Sequence, residues 1–255
     1  VTGFFEFLLL DFFLHPHIWR SMMMTLRPAS ERGRMQTSWL DSYFSFSFAD
    51  YYDPRHMGQG PLRVINEDFI APEGGFPLHG HQDMEIITYV LEGSVAHRDS
   101  LGNVTTIAAG DVQCMTAGKG IRHSEYNPSR SLPLHLLQIW IIPDKKGYQP
   151  RYEQKQFPAE TKQGRLCLAV SESGRDGSLK IHRDVDLYLS RLEKGDVVSY
   201  DLAPQRDVWV QVAYGAVLVN GRQLQKGDGA ALEGETAVRV EGTEASEILV
   251  FDLPH

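Results

Sequence analysis

The sequence predicts an all-β chain, built as two jelly-roll-type β-barrels in tandem with few short helices. Three observations lead there. Glycine (23) and proline (13) punctuate the 255 residues often enough to keep the apolar runs between them short. Those runs are rich in β-branched and aromatic residues, or alternate apolar with polar. The rhythm of the first half then recurs in the second, with Val208 to Val212 leading to Gly215 as Ile87 to Leu91 leads to Gly93. A chain of this length accommodates two barrels of roughly 100 residues each.

The elements follow in order. Phe4 to Leu14 is apolar but interrupted by Glu6 and Asp11. No basic residue precedes it, no small-residue cleavage site follows, and it is too short to span a bilayer, so it reads as neither signal peptide nor membrane helix. Met22, Met23 and Met24 stand before the first domain-like sequence, so residues 1–23 are expected to be an extension. Tyr43 to Phe48 alternates aromatic and small polar residues, the period of a half-buried strand. Asp53-Pro54 is a turn, and Leu62 to Ile65 a short strand. Glu85 to Leu91, Ser94 to Arg98, Val104 to Ile107 and Val112 to Met115 are strands separated by Glu92-Gly93, Asp99 to Asn103 and Ala109-Gly110-Asp111. Leu134 to Ile142 is a long buried strand ending at Pro143. Residues 24–144 therefore form the first barrel, and the polar stretch 145–165 a crossover. Residues 166–255 form the second barrel, in which Lys226-Gly227-Asp228 falls where Ala109-Gly110-Asp111 fell.

The formal charge is −8, from 33 acidic and 25 basic residues, with no basic stripe for nucleic acid. No segment reads as a membrane anchor. Two cysteines, Cys114 and Cys167, make no disulfide framework, and a reducing cytoplasm is the expected compartment.

The chemistry concentrates in the first half. His79 and His81 are two residues apart, and so are His123 and Glu125. On an extended chain such pairs project from one face, so both can converge on one point in a barrel mouth. A lone histidine on a strand is ordinarily a packed core residue; two such pairs in adjoining parts of one barrel argue for a metal. Three imidazole nitrogens and a carboxylate oxygen at about 2.0–2.2 Å suit one borderline divalent cation. Four protein ligands leave one or two positions open for a reactant. His135 faces either the core or the pocket, while His182 and His255 read as surface residues. No histidine lies between Val208 and Leu253, so the second barrel is expected to be metal-free and to buttress or cover the first.

Gly75-Phe-Pro-Leu-His79-Gly-His81-Gln-Asp-Met-Glu85, closing at Glu92-Gly93, resembles the first motif of the cupin superfamily, and Gly110 to Asn127 resembles the second. Trp39-Leu-Asp-Ser, Phe46-Ser-Phe, Leu62-Arg-Val-Ile-Asn66, Gly120-Ile-Arg-His-Ser-Glu-Tyr-Asn127, Leu136-Leu-Gln-Ile-Trp140 and Pro150-Arg-Tyr-Glu153 narrow the resemblance to the pirin branch of the bicupins, from about Met24 onward. It implies His79, His81, His123 and Glu125 as metal ligands, and leaves Glu85, a ligand position in many other cupins, unused. Gly80 and Thr116 depart from prolines common in the family; neither change removes a donor, though Gly80 loosens the ligand loop.

Some pirin-like proteins are quercetin 2,3-dioxygenases, which open the flavonol ring with O₂ and release carbon monoxide. The resemblance thus implies a metal-dependent dioxygenase, with a flavonol-like substrate, O₂, and Glu125 doubling as the base for the flavonol 3-hydroxyl. Iron(II) is the favoured ion, with nickel, cobalt, copper, zinc and manganese also suited to these donors. Met57, Phe46, Phe48, Met84, Met115 and Ile121 are candidate pocket walls. The alternatives are another cupin metalloenzyme, separable by O₂ consumption and CO release, and a non-catalytic regulator like the iron-dependent nuclear pirins. A storage-type bicupin has no need of four converging ligands.

Overall fold

The structure, a computed structural model, describes residues 23–255; the expected extension 1–23 lies outside it save for Met23. Its first half contains strands β1 Met23–Arg27, β2 Gly33–Gln36, β3 Leu40–Phe44, β4 Leu62–Ile70, β5 Gly75–His81, β6 Glu85–Glu92, β7 Ser94–Asp99, β8 Val104–Ala108, β9 Asp111–Thr116, β10 Ile121–Tyr126, β11 Leu134–Ile141 and β12 Arg151–Gln156. A single-turn helix, α1 Ala159–Lys162, leads to β13 Cys167–Ser171, β14 Leu179–Lys180, β15 Asp186–Leu192, β16 Val197–Asp201 and β17 Arg206–Tyr214. β18 Ala216–Val219, β19 Arg222–Gln225, β20 Gly229–Glu233, β21 Ala237–Gly242 and β22 Ser246–Pro254 complete it.

These strands make two similar units, each a seven-stranded sheet facing a four-stranded one. The sheets run β12-β9-β6-β11-β4-β3-β2 over β5-β10-β7-β8, and β1-β20-β17-β22-β15-β13-β14 over β16-β21-β18-β19. The expectation of two like all-β units holds, but each is an open two-sheet sandwich rather than a closed barrel.

Alternation assigns every strand two environments. On the seven-stranded sheet of the first unit, Ile65, Ile87, Tyr89, Cys114, Leu137 and Ile139 point outward and pack on Val170, Leu187, Leu189, Trp209, Leu249 and Phe251 of the second. The two large sheets therefore share one apolar core. The apolar core inside the second unit is aliphatic, from Val198, Val208, Val210 and Val212 to Ile248 and Val250. The interior of the first is divided: Leu40, Ile70, Val90, Val95, Ile107, Leu134 and Leu136 fill one end, and Ile86, Met115, Ala117 and Ile121 the other.

Between those apolar ends lies a polar belt. Cross-strand register places Gln113, Thr88, Gln138 and Asn66 in one row across β9, β6, β11 and β4. The sequence reading ended the fourth strand at Ile65, where polar residues begin; the strand continues to Ile70. Asn66 and Asp68 face the belt, and Glu67 on the opposite face pairs with Arg32 (2.8 Å) and His135 (2.9 Å). The alternation of Tyr43 to Phe48 stops being a strand at Phe44, and Phe46 turns out to pack against Trp209, ring centroids 4.8 Å apart and tilted by 52°.

The boundaries also differ from the expected ones. Residues 24–27, assigned to the first unit, belong to β1, which pairs with β20 of the second (Met23 opposite Glu233, Arg27 opposite Gly229). The crossover 145–165 contains β12, which extends the first unit's sheet beside β9, and α1. Each unit thus supplies, or receives, an edge strand from outside its own run of sequence. Among the described residues no helix is long and apolar enough to cross a membrane.

Candidate metal centre

Strand β10 is the middle of the small sheet, flanked by β5 and β7. On one side His123 lies directly opposite His79 and Ile121 opposite His81; on the other, Glu125 lies opposite His97 and His123 opposite Asp99. Because pairing and alternation act together, His79, His81, His97, Asp99, His123 and Glu125 project into the same interior. The register shifts between His123 and Glu125, where Gly75 meets β10: a Cβ on Gly75 would lie 2.3 Å from the Glu125 carbonyl oxygen. Glycine is needed there for the two strands to touch.

The structure brings three of the four expected ligands into one group. The rings of His79, His81 and His123 stand 4.4 to 4.9 Å apart, and one nitrogen from each lies within 4.8 Å of the others. Glu125 enters a second group of the same tightness, with His123 and His97. His123 is the hinge between the two. His79 donates its Nδ1–H to the Pro77 carbonyl at 2.8 Å, which fixes the tautomer and leaves Nε2 with its lone pair inward.

The electrostatics favour a neutral His81, a neutral His123 and an ionised Glu125. Burial pushes His81 and His123 down to about 4, with the neighbouring histidines adding to the effect. Glu125 is held below the usual carboxylate range: burial opposes ionisation, but His97, His123 and His79 outweigh it. Nine buried side-chain polar atoms among the described residues lack a hydrogen-bond partner, and eight of them line this interior: Asn66 Oδ1, Thr88 Oγ1, His97 Nδ1, both ends of the Gln113 amide, both nitrogens of His123, and Glu125 Oε1. Unpaired buried donors and acceptors are costly, so this concentration marks a place built for something that hydrogen-bonds or ligates. A neutral imidazole and a carboxylate oxygen without partners are what a divalent cation requires, and the donor set fits one.

The remaining sequence expectations resolve individually. Glu85 points to the other face of its sheet, where Thr116 Oγ1 donates to Oε2 (2.8 Å) and His182 Nδ1 to Oε1 (2.9 Å). Thr116, a departure from proline, thus ties down the carboxylate that other cupins use as a ligand. His182 is no free surface residue, since its ring also stacks on Tyr148 at 3.8 Å. His135 is core, between Glu67, Tyr214 and Phe69, on the face away from the histidines. Of the proposed walls, Met115 and Ile121 pack with Met84 and Trp140, and Phe48 packs on Trp140, whereas Phe46 serves the shared core and Met57 is exposed. Gly80 has room for a Cβ, with no contact nearer than 3.6 Å.

Sequence reasoning missed His97 and Gln138. His97 is fully buried, its Nε2–H donating to Asp99 (3.1 Å) and its Nδ1 3.9 Å from Glu125 Oε1. Asp99 is in turn oriented by the Leu101 and Asn103 amides and the Asn103 side chain. Burial alone would lower His97, but Glu125 and Asp99 together raise it. The His97-x-Asp99 spacing repeats the two-residue pattern of the expected ligands and was the available signal.

Two sandwiches in one chain, the first with a histidine-rich interior, define a bicupin. Comparison with known proteins narrows the class: residues 25–141 match the pirin family, and residues 168–253 match the quercetinase C-terminal cupin domain. A quercetin 2,3-dioxygenase of Escherichia coli is 51% identical over 91% of this chain and 99% of its own length. The solved structure of the bacterial pirin YhhW of Escherichia coli in complex with nickel(II) superposes with a TM-score of 0.87 at 50% identity, covering 91% of this chain and 99% of that one. The Escherichia coli protein YhaK matches at 26% identity and a TM-score of 0.70, over 88% of this chain and 94% of that one. The chain belongs to the pirin family.

Proposed function

We propose that this chain is a metal-dependent quercetin 2,3-dioxygenase, holding one divalent cation on His79, His81, His123 and Glu125. The observation that carries the reading is the convergence of three histidine nitrogens beside an unpartnered Glu125 oxygen, in a chain half identical to a quercetin 2,3-dioxygenase along almost its whole length. The nickel(II) complex of a relative supports the ligand set, as does the neutrality of His81 and His123. Iron(II) is our favoured ion, with nickel(II) its first competitor. A reducing cytoplasm is the compartment we propose, a reading with which the two free cysteines, Cys114 and Cys167, agree.

The bound cation would supply Lewis acidity, lowering the pKa of the flavonol 3-hydroxyl. The chain supplies the rest. Glu125 Oε1, with no partner of its own, accepts the hydroxyl proton. Met84, Met115, Ile121 and Trp140 give the histidines an apolar surround that excludes water. The first unit carries the chemistry, and the second, whose inner apolar core is aliphatic, supports it through the shared core.

The test is anaerobic metal reconstitution followed by oxygen-electrode assay with quercetin. Metal-dependent O₂ uptake with CO release is expected, abolished in His79→Ala through metal loss. In Glu125→Gln much of the metal should remain while turnover is lost. Full activity of Glu125→Gln would refute the proton role, and tight metal binding without O₂ uptake would refute the substrate.

A further inference from the structure

Glu125 is gripped on one oxygen only. Its Oε2 accepts a hydrogen bond from Gln138 Nε2 at 3.1 Å, while Oε1 has none, its nearest basic neighbour being His97 Nδ1 at 3.9 Å. Gln138 is itself oriented, because its Oε1 accepts the Trp140 indole N–H at 3.2 Å. An indole nitrogen only donates, so the amide oxygen must face Trp140 and the amide N–H₂ must face the carboxylate. With the amide reversed, a carbonyl oxygen would oppose a carboxylate and two N–H groups would oppose each other.

Trp140 does more than orient the amide. Its ring stands edge-on to His81 at 5.0 Å and 83°, and to Phe48 at 5.4 Å and 88°. Gln138 and Trp140 are neighbours on the inner face of β11, in the large sheet, whereas His81 and Glu125 come from β5 and β10 of the small one. One pair of side chains therefore crosses the sandwich and touches both ends of the proposed ligand set.

We infer that Gln138, oriented by Trp140, is a positioning residue that anchors one oxygen of Glu125 and presents the other to the histidines. This rests on the reading of Glu125 as a ligand and base. A carboxylate free to rotate about its terminal bond would offer either oxygen, or both, to an ion. Held at Oε2, it offers Oε1 alone, in one orientation, and that oxygen is also the one available to take a proton.

The experiment uses the full chain loaded with cobalt(II), in wild type, Gln138→Leu and Trp140→Phe. Gln138→Leu removes the donor at similar size; Trp140→Phe keeps a smaller aromatic ring at that position and deletes the N–H that orients the amide. The visible cobalt(II) absorption, read without substrate, should shift in Gln138→Leu and shift less in Trp140→Phe. In the metal-loaded oxygen assay, kcat should fall by about 10- to 100-fold in Gln138→Leu, with KM for quercetin within about twofold of wild type. A cobalt spectrum and kcat unchanged in both variants would overturn the inference. If Gln138→Leu fails to fold, Trp140→Phe decides by the same two readings. A spectral shift in a protein whose wild type takes up no O₂ with quercetin would uphold the positioning role and overturn the flavonol reading. O₂ uptake unaffected by either variant would do the reverse. Failure of the wild type to take up cobalt(II) would overturn both.

Discussion

Asp68 shows what the polar belt costs. It is wholly buried, with the Ser42 hydroxyl donating to it, and burial together with the charges of Glu125 and Glu67 raises it to about 7. An acid whose pKa is higher in the folded than in the unfolded chain stabilises the fold at low pH and loses that contribution as pH rises through the folded value. In the metal-free protein, Asp68→Asn should therefore be nearly neutral at pH 3.5 and stabilising by about 2–4 kcal/mol at pH 8, as measured by urea unfolding. A gain independent of pH would show that Asp68 is not buried as an acid. His123 runs the other way. Its pKa is depressed to about 4, so its contribution is present above pH 6.5 and is lost as pH falls toward 4. A metal-free His123→Gln variant should accordingly lose less stability than wild type between pH 7 and pH 4.5. The four expected ligands were legible because each pair is local in sequence. His97, Gln138 and Asp68 were not, since each lies apart from those pairs in the sequence and only strand register brings it to them.

Short elements join the units more firmly than their length suggests. Helix α1 has four residues, yet its last, Lys162, is buried and donates to Glu247 Oε1 (2.7 Å) and to the Tyr89 hydroxyl, which in turn donates to Glu247. Tyr89 lies on β6 of the first unit and Glu247 on β22 of the second, with Arg191 3.4 Å from the other Glu247 oxygen. Removing one member of a buried ion pair leaves the other charge uncompensated. Lys162→Met should cost about 3 kcal/mol in urea unfolding, and adding Glu247→Leu should recover much of it; additive losses would refute a buried pair. The polar composition of residues 145–165 concealed this, because α1 and β12 bury few of their residues and carry no apolar period. The long apolar strands were legible for the opposite reason, and the sequence placed Leu134 to Ile142 within a residue of β11.

At the scale of the molecule, the two large sheets share a single core, with Trp209, Leu249 and Phe251 packed against Ile87, Leu137 and Ile139. Neither sheet can expose that face without the other doing so, which makes unfolding cooperative across the units. One thermal transition is expected by both far-ultraviolet circular dichroism and tryptophan fluorescence. Chelation of the metal should lower that single midpoint, since binding in the first unit stabilises both by mass action. Two transitions, only one of them metal-dependent, would refute the shared core. Phe251→Ala, on the second unit's sheet, should lower the midpoint with a loss of about 3–5 kcal/mol while leaving metal affinity in the folded protein unchanged. Two-unit architecture was legible from the repeated rhythm of the halves, but the open sandwich and the exchange of edge strands depend on pairings that no local pattern encodes.

That exchange governs the order in which the molecule can be made. Strand β1 is among the first described segments to leave the ribosome, yet its partner β20 follows only after nearly all of the chain, with Met23 awaiting Glu233. All strands of the first unit's large sheet have emerged with β12, and the histidine cluster's residues by Glu125, but the outward face of that sheet stays uncovered until Trp209, Leu249 and Phe251 follow. Arg27, which ends β1 opposite Gly229, donates from its guanidinium to the Ser45 carbonyl (2.8 Å) and the Tyr51 hydroxyl (2.8 Å), and so ties this late-formed strand pair back to the first unit. A nascent chain stalled before residue 229 should therefore bind metal weakly or not at all and remain open to proteolysis at β1.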